Sequence, residues 1–382
     1  MRVFSRLAMC VILVSVMLAG CAQQATPPEP GPGPEPVTTP AFKIGILTGT
    51  VSQGEDEYRA AEQVKAKYGD RIVHVTYPDN FMQEQETTIS QLTGLAADPD
   101  VKAIVVCQAV PGTAAAIDKI REDRPDLPFI VVVPHEDVKM MEGKADLMFE
   151  TNNLERGNTI VQLAKDMGAT HFLHYSFPRH MAMELLAARR TMMEEKCQEL
   201  GIEFVFVTAP DPTGPDGIPG AQRFILEDVP RQVAQLGKDI CVFSTNCGMQ
   251  DPLIKAALQE GAIFAEQCCP SPTHGYPNAL GLDVQGIAGD MPKILQAIEE
   301  KVVAEGGAGR FASWPVPINM VFLRAGVELA MKAVEGEIEL TDEAAIKAAL
   351  EAEAGVPMTL TKYSPEGNFW LAVMDSVIFG KK

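Results

Sequence analysis

Phe42-Lys43-Ile44-Gly45-Ile46-Leu47, running directly into Thr48-Gly49-Thr50, is a short apolar run that ends in small polar residues. Apolar runs of this length read as buried strands, and residues 55–68 then carry Tyr58, Ala61, Val64 and Ala66 among charges at helical spacing. The alternation repeats: strands are expected at 72–77, 103–107, 129–133 and 147–150, with helices at 83–97 and 113–124. Strands this continuously apolar, separated by helices, predict a parallel sheet covered on both faces.

After Thr151-Asn152-Asn153 the pattern begins again. Helices are expected at 155–167, 181–200, 223–236 and 252–260, and strands at 172–175, 204–207, 240–243 and 263–265. Two such runs predict an α/β chain of two doubly wound, Rossmann-like lobes with a central cleft. Further on come a helix at 291–305, the stiff connection Trp314-Pro315-Val316-Pro317, a helix at 319–334 and a late strand at 369–373. The division that follows is 42–152 with 318–360 for the N-terminal lobe, and 153–314 with 361–382 for the C-terminal lobe.

The start of the chain is of another kind. Arg2 and Arg6 precede an apolar run over residues 7–18, which ends in Leu18-Ala19-Gly20-Cys21. The run is too short to span a bilayer, so 1–20 reads as a secretory signal. It resembles the signals of bacterial lipoproteins, which implies that Cys21 carries the lipid and that two acyl chains or more anchor the protein stably. Residues 21–41, with Pro27-Pro28-Glu29-Pro30-Gly31-Pro32-Gly33-Pro34-Glu35-Pro36, read as a Pro-rich tether. Extended at about 3.1 Å per residue, it reaches roughly 60 Å. The protein is therefore expected at the cell membrane, lipid-anchored and facing outside the cytoplasm.

Composition narrows the partners. The chain holds 51 acidic side chains against 32 basic ones, a net charge of -19. That balance argues against nucleic acid and against lying flat on anionic lipid. Beyond the signal and Cys21 there are six cysteines, Cys107, Cys197, Cys241, Cys247, Cys268 and Cys269, too few for a disulfide scaffold and with no CxxC pair. Cys268-Cys269 with His274 matches no standard zinc spacing, so neither a metal nor a cofactor is expected. A disulfide from Cys247 to Cys268 or Cys269 is the preferred reading, because these residues end neighbouring strands.

Ligands of open α/β sheets bind beyond the carboxyl ends of the strands, where helix N-terminal amides are free. The first-lobe candidates are Thr48, Thr50, Gln53, Tyr77, Gln108 and His135, with Phe81 as an apolar wall. Asn152 lies at the crossover, near Asn153 and Arg156. In the second lobe they are Tyr175, Ser176, Arg179, His180, Asn246 and Gln267. The run Tyr175-Ser176-Phe177-Pro178-Arg179-His180 offers stacking, hydrogen bonding and positive charge at one strand end. If Arg179, Arg156 and the two histidines converge, they make a cationic pocket suited to a carboxylate or phosphate. Trp314 is expected as a hinge or packing residue.

The lipobox, the tether, the opening FKIGILTGT, the two βα runs and the late return helix together resemble the type I periplasmic-binding-protein fold of solute-binding lipoproteins. Two segments, 174–181 and 244–254, resemble an uncharacterised family of lipoproteins. The resemblance implies a small-molecule ligand, a partner ABC permease with its ATPase, and no catalysis. Two alternatives stand beside it. One is a ligand-sensing lipoprotein whose closure a membrane receptor reads. The other is a cleft enzyme pairing Cys247 or Cys107 with His135 or His180, although GxSxG, HExxH, GxxxxGK[ST] and GxGxxG are all missing from the sequence.

Overall fold

The computed structural model describes residues 42–287 and 290–381. The signal, Cys21 and the tether lie outside the described residues. No helix among the described residues is long and apolar enough to cross a membrane.

The strands are β1 (Lys43–Thr48), β2 (Ile72–Thr76), β3 (Val101–Cys107), β4 (Phe129–Val132), β5 (Leu147–Thr151), β6 (His171–Ser176), β7 (Glu203–Thr208), β8 (Ile240–Ser244), β9 (Ala312–Ser313), β10 (Thr359–Lys362), β11 (Phe369–Val373) and β12 (Val377–Ile378). Seven of them form one sheet in the order β10-β11-β5-β4-β3-β1-β2, parallel except for β10. Alternate residues of each strand serve two separate cores. Ile44, Val105 and Ile130 pack under helices Val51–Tyr68, Ile318–Val334 and Glu343–Ala354, while Leu47, Val106 and Val131 pack under Gln85–Ala97 and Thr113–Asp123. Burial on both faces is why these strands are apolar throughout.

The second sheet is built around β7-β6-β8, all parallel, and continues through single parallel bridges Cys241–Ile263 and Phe264–Phe311 to the antiparallel pair β9–β12. It too is covered on both faces, on one side by helices Asn153–Asp166 and Glu184–Leu200. The expected two-lobed α/β class is the one observed. Four local readings change. The strand expected at 263–265 is reduced to bridges, and the helix expected at 181–200 breaks into Pro178–Met181 and Glu184–Leu200. The helix Glu343–Ala354 and strand β10 had no counterpart in the sequence reading. Finally, β10 and β11, of which residues from 361 on were expected in the C-terminal lobe, extend the first sheet instead. All five residues of β11 are buried, and Phe369–Ala372 pair in parallel with β5, which suits an apolar strand.

The chain passes between the two sheets after β5, after β9 and between β11 and β12. One buried ion pair touches all three passages. Arg156, fully buried, donates from Nε to Glu266 Oε1 at 2.7 Å, and its other nitrogens donate to Thr151 Oγ1 (3.2 Å), Asn153 Oδ1 (3.2 Å) and the Gln267 carbonyl (2.7 Å). The second Glu266 oxygen accepts from Trp314 Nε1 at 2.7 Å and from Ser376 Oγ at 3.2 Å. Removing one partner strands a charge in the interior. Arg156→Met is therefore expected to cost about 3–5 kcal/mol in urea unfolding. Adding Glu266→Gln should recover a large part of that loss, and no recovery would mean that the ion pair is not its source.

Candidate functional site

A cavity of about 1430 Å³ lies between the two lobes and takes its walls from both. On the first-lobe side the strands end under backbone strain. Gln108, just past β3, has φ 62°, and Val133, just past β4, has φ 54°, the left-handed region that a β-branched residue rarely enters. Such positions cost about 1–3 kcal/mol each and persist where surrounding bonds impose them. Here Gln108 N donates to Val132 O at 2.7 Å and Val133 N to Phe149 O at 2.8 Å. The strained turn brings Gln108 to Glu57: its Nε2 donates to Glu57 Oε1 at 3.0 Å, while Tyr77 Oη donates to Gln108 Oε1 at 2.9 Å. Asn319 Nδ2 donates to the same Glu57 oxygen at 2.8 Å and leaves its own Oδ1 buried without a partner.

Glu57 and Glu150 both line the cavity. Burial pushes each carboxyl up to about 7, against hydrogen bonds from Gln108 to the first and from Thr151 to the second. Near neutral pH these walls are only partly ionised.

The second-lobe wall carries the buried cation. Helices Asn153–Asp166 and Glu184–Leu200 meet at Gly157, where a Cβ would stand 2.7 Å from Met192 Cβ, so this close approach needs glycine. It sets Arg189 against Asn153. Arg189 is 1% exposed, donates from Nη1 to Asn153 Oδ1 at 2.6 Å, stacks its guanidinium 5.0 Å from the Phe243 ring centre, and keeps Nε without a partner. Burial, together with the charge of Arg156, pulls its pKa down to about 9. No acid bonds to it among the described residues.

Of the residues singled out in the sequence, Gln53, Gln108, His135, Arg179, His180 and Asn246 reach the cavity, as does Phe81. The remaining seven are used elsewhere. Thr48 is buried against His74 Nε2 (2.8 Å), Thr50 bonds Asp79, and Tyr77 orients Gln108 from behind. Tyr175 donates to Asp228 at 3.0 Å in the core, and Ser176 bonds Thr245 at 2.8 Å. Gln267 donates to the Ser271 carbonyl (2.8 Å) and to Ser313 (3.1 Å). Asn152 caps the helix Asn153–Asp166 through Glu155 N at 3.0 Å.

That last bond belongs to a wider correction. Helix N-terminal amides were expected to be free for ligand, yet several are taken by the chain itself. Besides Asn152, Asn246 Oδ1 accepts from Gly248 N at 2.9 Å, and Glu136 accepts from Gly112 N (3.0 Å) and Ala114 N (2.7 Å). The expected cationic pocket is also rearranged. Arg156 is committed to Glu266, and Arg179 makes a two-pronged pair with Asp211 at 2.9 and 3.1 Å. His135 and His180 do stand near Arg179, but burial, helped by its charge, lowers them to about 4 and about 3. Both are neutral at pH 7. The buried charge falls instead to Arg189, a residue that the helical pattern of 184–200 does not distinguish from its neighbours.

The cysteines depart from expectation as well. All six are free thiols. Cys247 Sγ lies 3.5 Å from Cys268 Sγ and 3.6 Å from Cys269 Sγ, equally placed between two partners and bonded to neither, so the expected disulfide is not formed. No hydrogen bond joins Cys247 or Cys107 to His135 or His180; His180 Nδ1 bonds Thr245 Oγ1 at 3.0 Å. Cys268 meets His274 Nε2 at 3.7 Å instead. The cleft is bridged on either side, by Thr273 Oγ1 to Asp56 at 2.8 Å and by Glu184 to Tyr363 (2.9 Å) and Lys139 (3.1 Å).

The raised carboxyls make stability depend on pH with a definite sign. A carboxyl held near 7 when folded and near 4.5 when unfolded keeps its full contribution below pH 4.5 and loses it as the pH rises through 7. Glu57→Gln should therefore shrink the loss of unfolding free energy between pH 5 and pH 8 by about 2 kcal/mol. Urea titrations at the two pH values check this, and an unchanged slope would place the Glu57 titration elsewhere.

Three comparisons bear on the site. A Clostridium difficile 630 protein described as a transcriptional regulator matches with a TM-score of 0.74 at 27% identity, over 88% of this chain and 99% of that one. A sugar ABC transport substrate-binding protein from Bordetella parapertussis 12822 matches at 0.54 and 13% identity, over 89% and 90%. A periplasmic solute-binding protein of an ABC transporter from Actinobacillus succinogenes 130z, with bound D-allose, matches at 0.53 and 12%, over 78% and 93%. The last two likenesses establish the type I periplasmic-binding fold. In sequence, two uncharacterized proteins of Treponema pallidum (strain Nichols) are 37% and 34% identical over 211 and 220 residues. These stretches cover 53% and 57% of this chain, and 94% and 99% of the relatives. The family model described as protein of unknown function DUF3798 matches residues 42–312, and the chain belongs to that family.

Proposed function

We propose that the protein is a lipid-anchored, extracytoplasmic solute-binding protein that closes its two lobes over a small anionic solute and delivers it to an ABC permease and its ATPase. The observation that carries this reading is Arg189, a buried cation facing an interlobe cavity with no acid bonded to it. Keeping a charge buried and unpaired is costly unless something arrives to pair with it. A carboxylate on the solute supplies that partner, and hydrogen bonds of charged groups are the strong ones. Asn319 Oδ1, buried and unpartnered on the opposite wall, would take a donor of the same solute. The cavity exceeds the usual range of about 300–1,000 Å³ for small-molecule pockets, which leaves room for bound water or for further closure. The fold neighbour from Actinobacillus succinogenes with bound D-allose supports a small-molecule ligand.

A second reading is regulatory, and the Clostridium difficile neighbour described as a transcriptional regulator supports that class: closure on the same solute would be a signal, which we assign to a membrane receptor as its reader. Direct contact with DNA is not carried over, because 51 acidic against 32 basic side chains repel a phosphate backbone. Both readings use the same hinge and the same cleft.

A thermal-shift screen of the full chain in detergent, against carboxylates, amino acids, nucleosides and sugars, should find carboxylate-bearing solutes that raise Tm. Calorimetry of such a hit should weaken at least about tenfold in Arg189→Met, the loss of one ion-paired contact. A neutral sugar bound equally well by both proteins would overturn the anionic reading. For the anchor, Cys21→Ala should abolish incorporation of labelled fatty acid and move the protein from the membrane to the soluble fraction. Retention of label would place the lipid on another residue.

A further inference from the structure

Outside the groups assigned to the solute, the cleft wall holds four thiophilic donors that the solute-binding reading does not use. Cys247 begins a short 3-10 turn after β8, Cys268 and Cys269 follow the 263–264 bridge, and His274 sits before the helix Tyr276–Leu280. All four line the cavity. The donor atoms of Cys247, Cys268 and His274 lie within 4.8 Å of one another.

The spacing is that of a coordination polyhedron rather than of a covalent bond. In a tetrahedral site with metal–sulfur bonds of about 2.3 Å and metal–nitrogen bonds of about 2.0 Å, sulfurs stand about 3.8 Å apart and a sulfur stands about 3.5 Å from the imidazole nitrogen. The observed edges are 3.5 Å from Cys247 to Cys268 and 3.7 Å from Cys268 to His274 Nε2, with Cys269 standing 3.6 Å from Cys247 beside them. The backbone keeps these donors in place. Gln250, fully buried, accepts from Cys268 N at 3.4 Å and donates to Asn246 O at 3.1 Å, which ties the segment bearing Cys247 to the segment bearing Cys268. At Gly275, φ 84° and a would-be Cβ only 2.9 Å from Ile254 give the tight turn that presents His274.

Charge agrees with this. Two thiolates and a neutral imidazole around a dication carry no net charge, so the site needs no counter-ion from the groups assigned to the solute. Soft sulfur donors with one imidazole in a tetrahedral set select a closed-shell thiophilic cation over calcium or magnesium.

We infer that Cys247, Cys268 and His274 form a binding site for one thiophilic d10 cation of the zinc class in the wall of the interlobe cleft, with its fourth position open to water.

The test uses the full chain in detergent, reduced, stripped with a chelator and kept free of any organic solute, and it titrates the metal alone. Co2+ should enter with a stoichiometry of one, giving the intense visible bands of a tetrahedral site and a sulfur-to-cobalt charge-transfer band, and Zn2+ should displace it. Cys247→Ser, Cys268→Ser and His274→Ala should each weaken Zn2+ binding by more than about a hundredfold, beyond the effect of losing an outer-shell partner. Cys197→Ser, a thiol buried among Ile160, Phe172 and Ile202, should leave it unchanged. Absence of stoichiometric uptake by the unmodified chain would overturn the site even if a variant failed to fold. So would a spectrum untouched by Cys247→Ser, or Cys247 found in a disulfide in protein alkylated directly from cells. Because no organic solute is present, these outcomes are independent of the thermal-shift screen.

Discussion

The buried pair of Arg156 and Glu266 is the constraint on which the rest of the molecule depends. Two charges removed from water repay their desolvation only when every remaining donor and acceptor is used, and here they are used by the three segments that cross between the lobes. Thr151 and Asn153 come from the first crossing, Trp314 from the second and Ser376 from the third. The pair therefore defines where the hinge is. Apolar residues at the same place would pack as well but would not tie the three crossings to one another through directed hydrogen bonds.

The hinge is also coupled to the cleft through one oxygen. Asn153 Oδ1 accepts from Arg156 Nη1 at 3.2 Å and from Arg189 Nη1 at 2.6 Å. The guanidinium at the crossings and the guanidinium that faces the cavity share an acceptor, so the position of Arg189 is coupled to the hydrogen bonding of Arg156. Around this centre burial, helped by the charge of Arg179, keeps His135 and His180 neutral at pH 7, and burial holds the carboxyls of Glu57 and Glu150 near 7, partly ionised.

Much of the fold was legible because its physics is local. Strands such as Lys43–Thr48 and Val101–Cys107 are apolar on both faces, and helices such as Thr113–Asp123 separate them at regular intervals, so the period alone identifies a covered parallel sheet. β11 illustrates the limit: its composition identified a buried strand, but which sheet it joined was decided by pairing with β5 across more than two hundred residues. The site was legible in part for the same reason. Strand ends point at the cleft, which placed Gln108, His135, Arg179, His180 and Asn246 on its walls, yet whether an end residue faces solute or serves as a cap depends on neighbours distant in sequence. Asn152 and Asn246 cap helices, and Arg179 met Asp211.

What the sequence determined by itself was the number of lobes, the class of the sheets and the general location of the cleft, since these follow from the periodicity of hydrophobic burial along the chain. The tertiary structure alone decided the chemistry of the cleft. Arg189 became a buried cation because Gly157 allowed two helices to approach, and Cys247 came within reach of Cys268 and His274 because a turn and a strand end converged. Coordination and ion pairing act over a few ångströms in space, and no spacing along the chain encodes that distance when its members come from different elements.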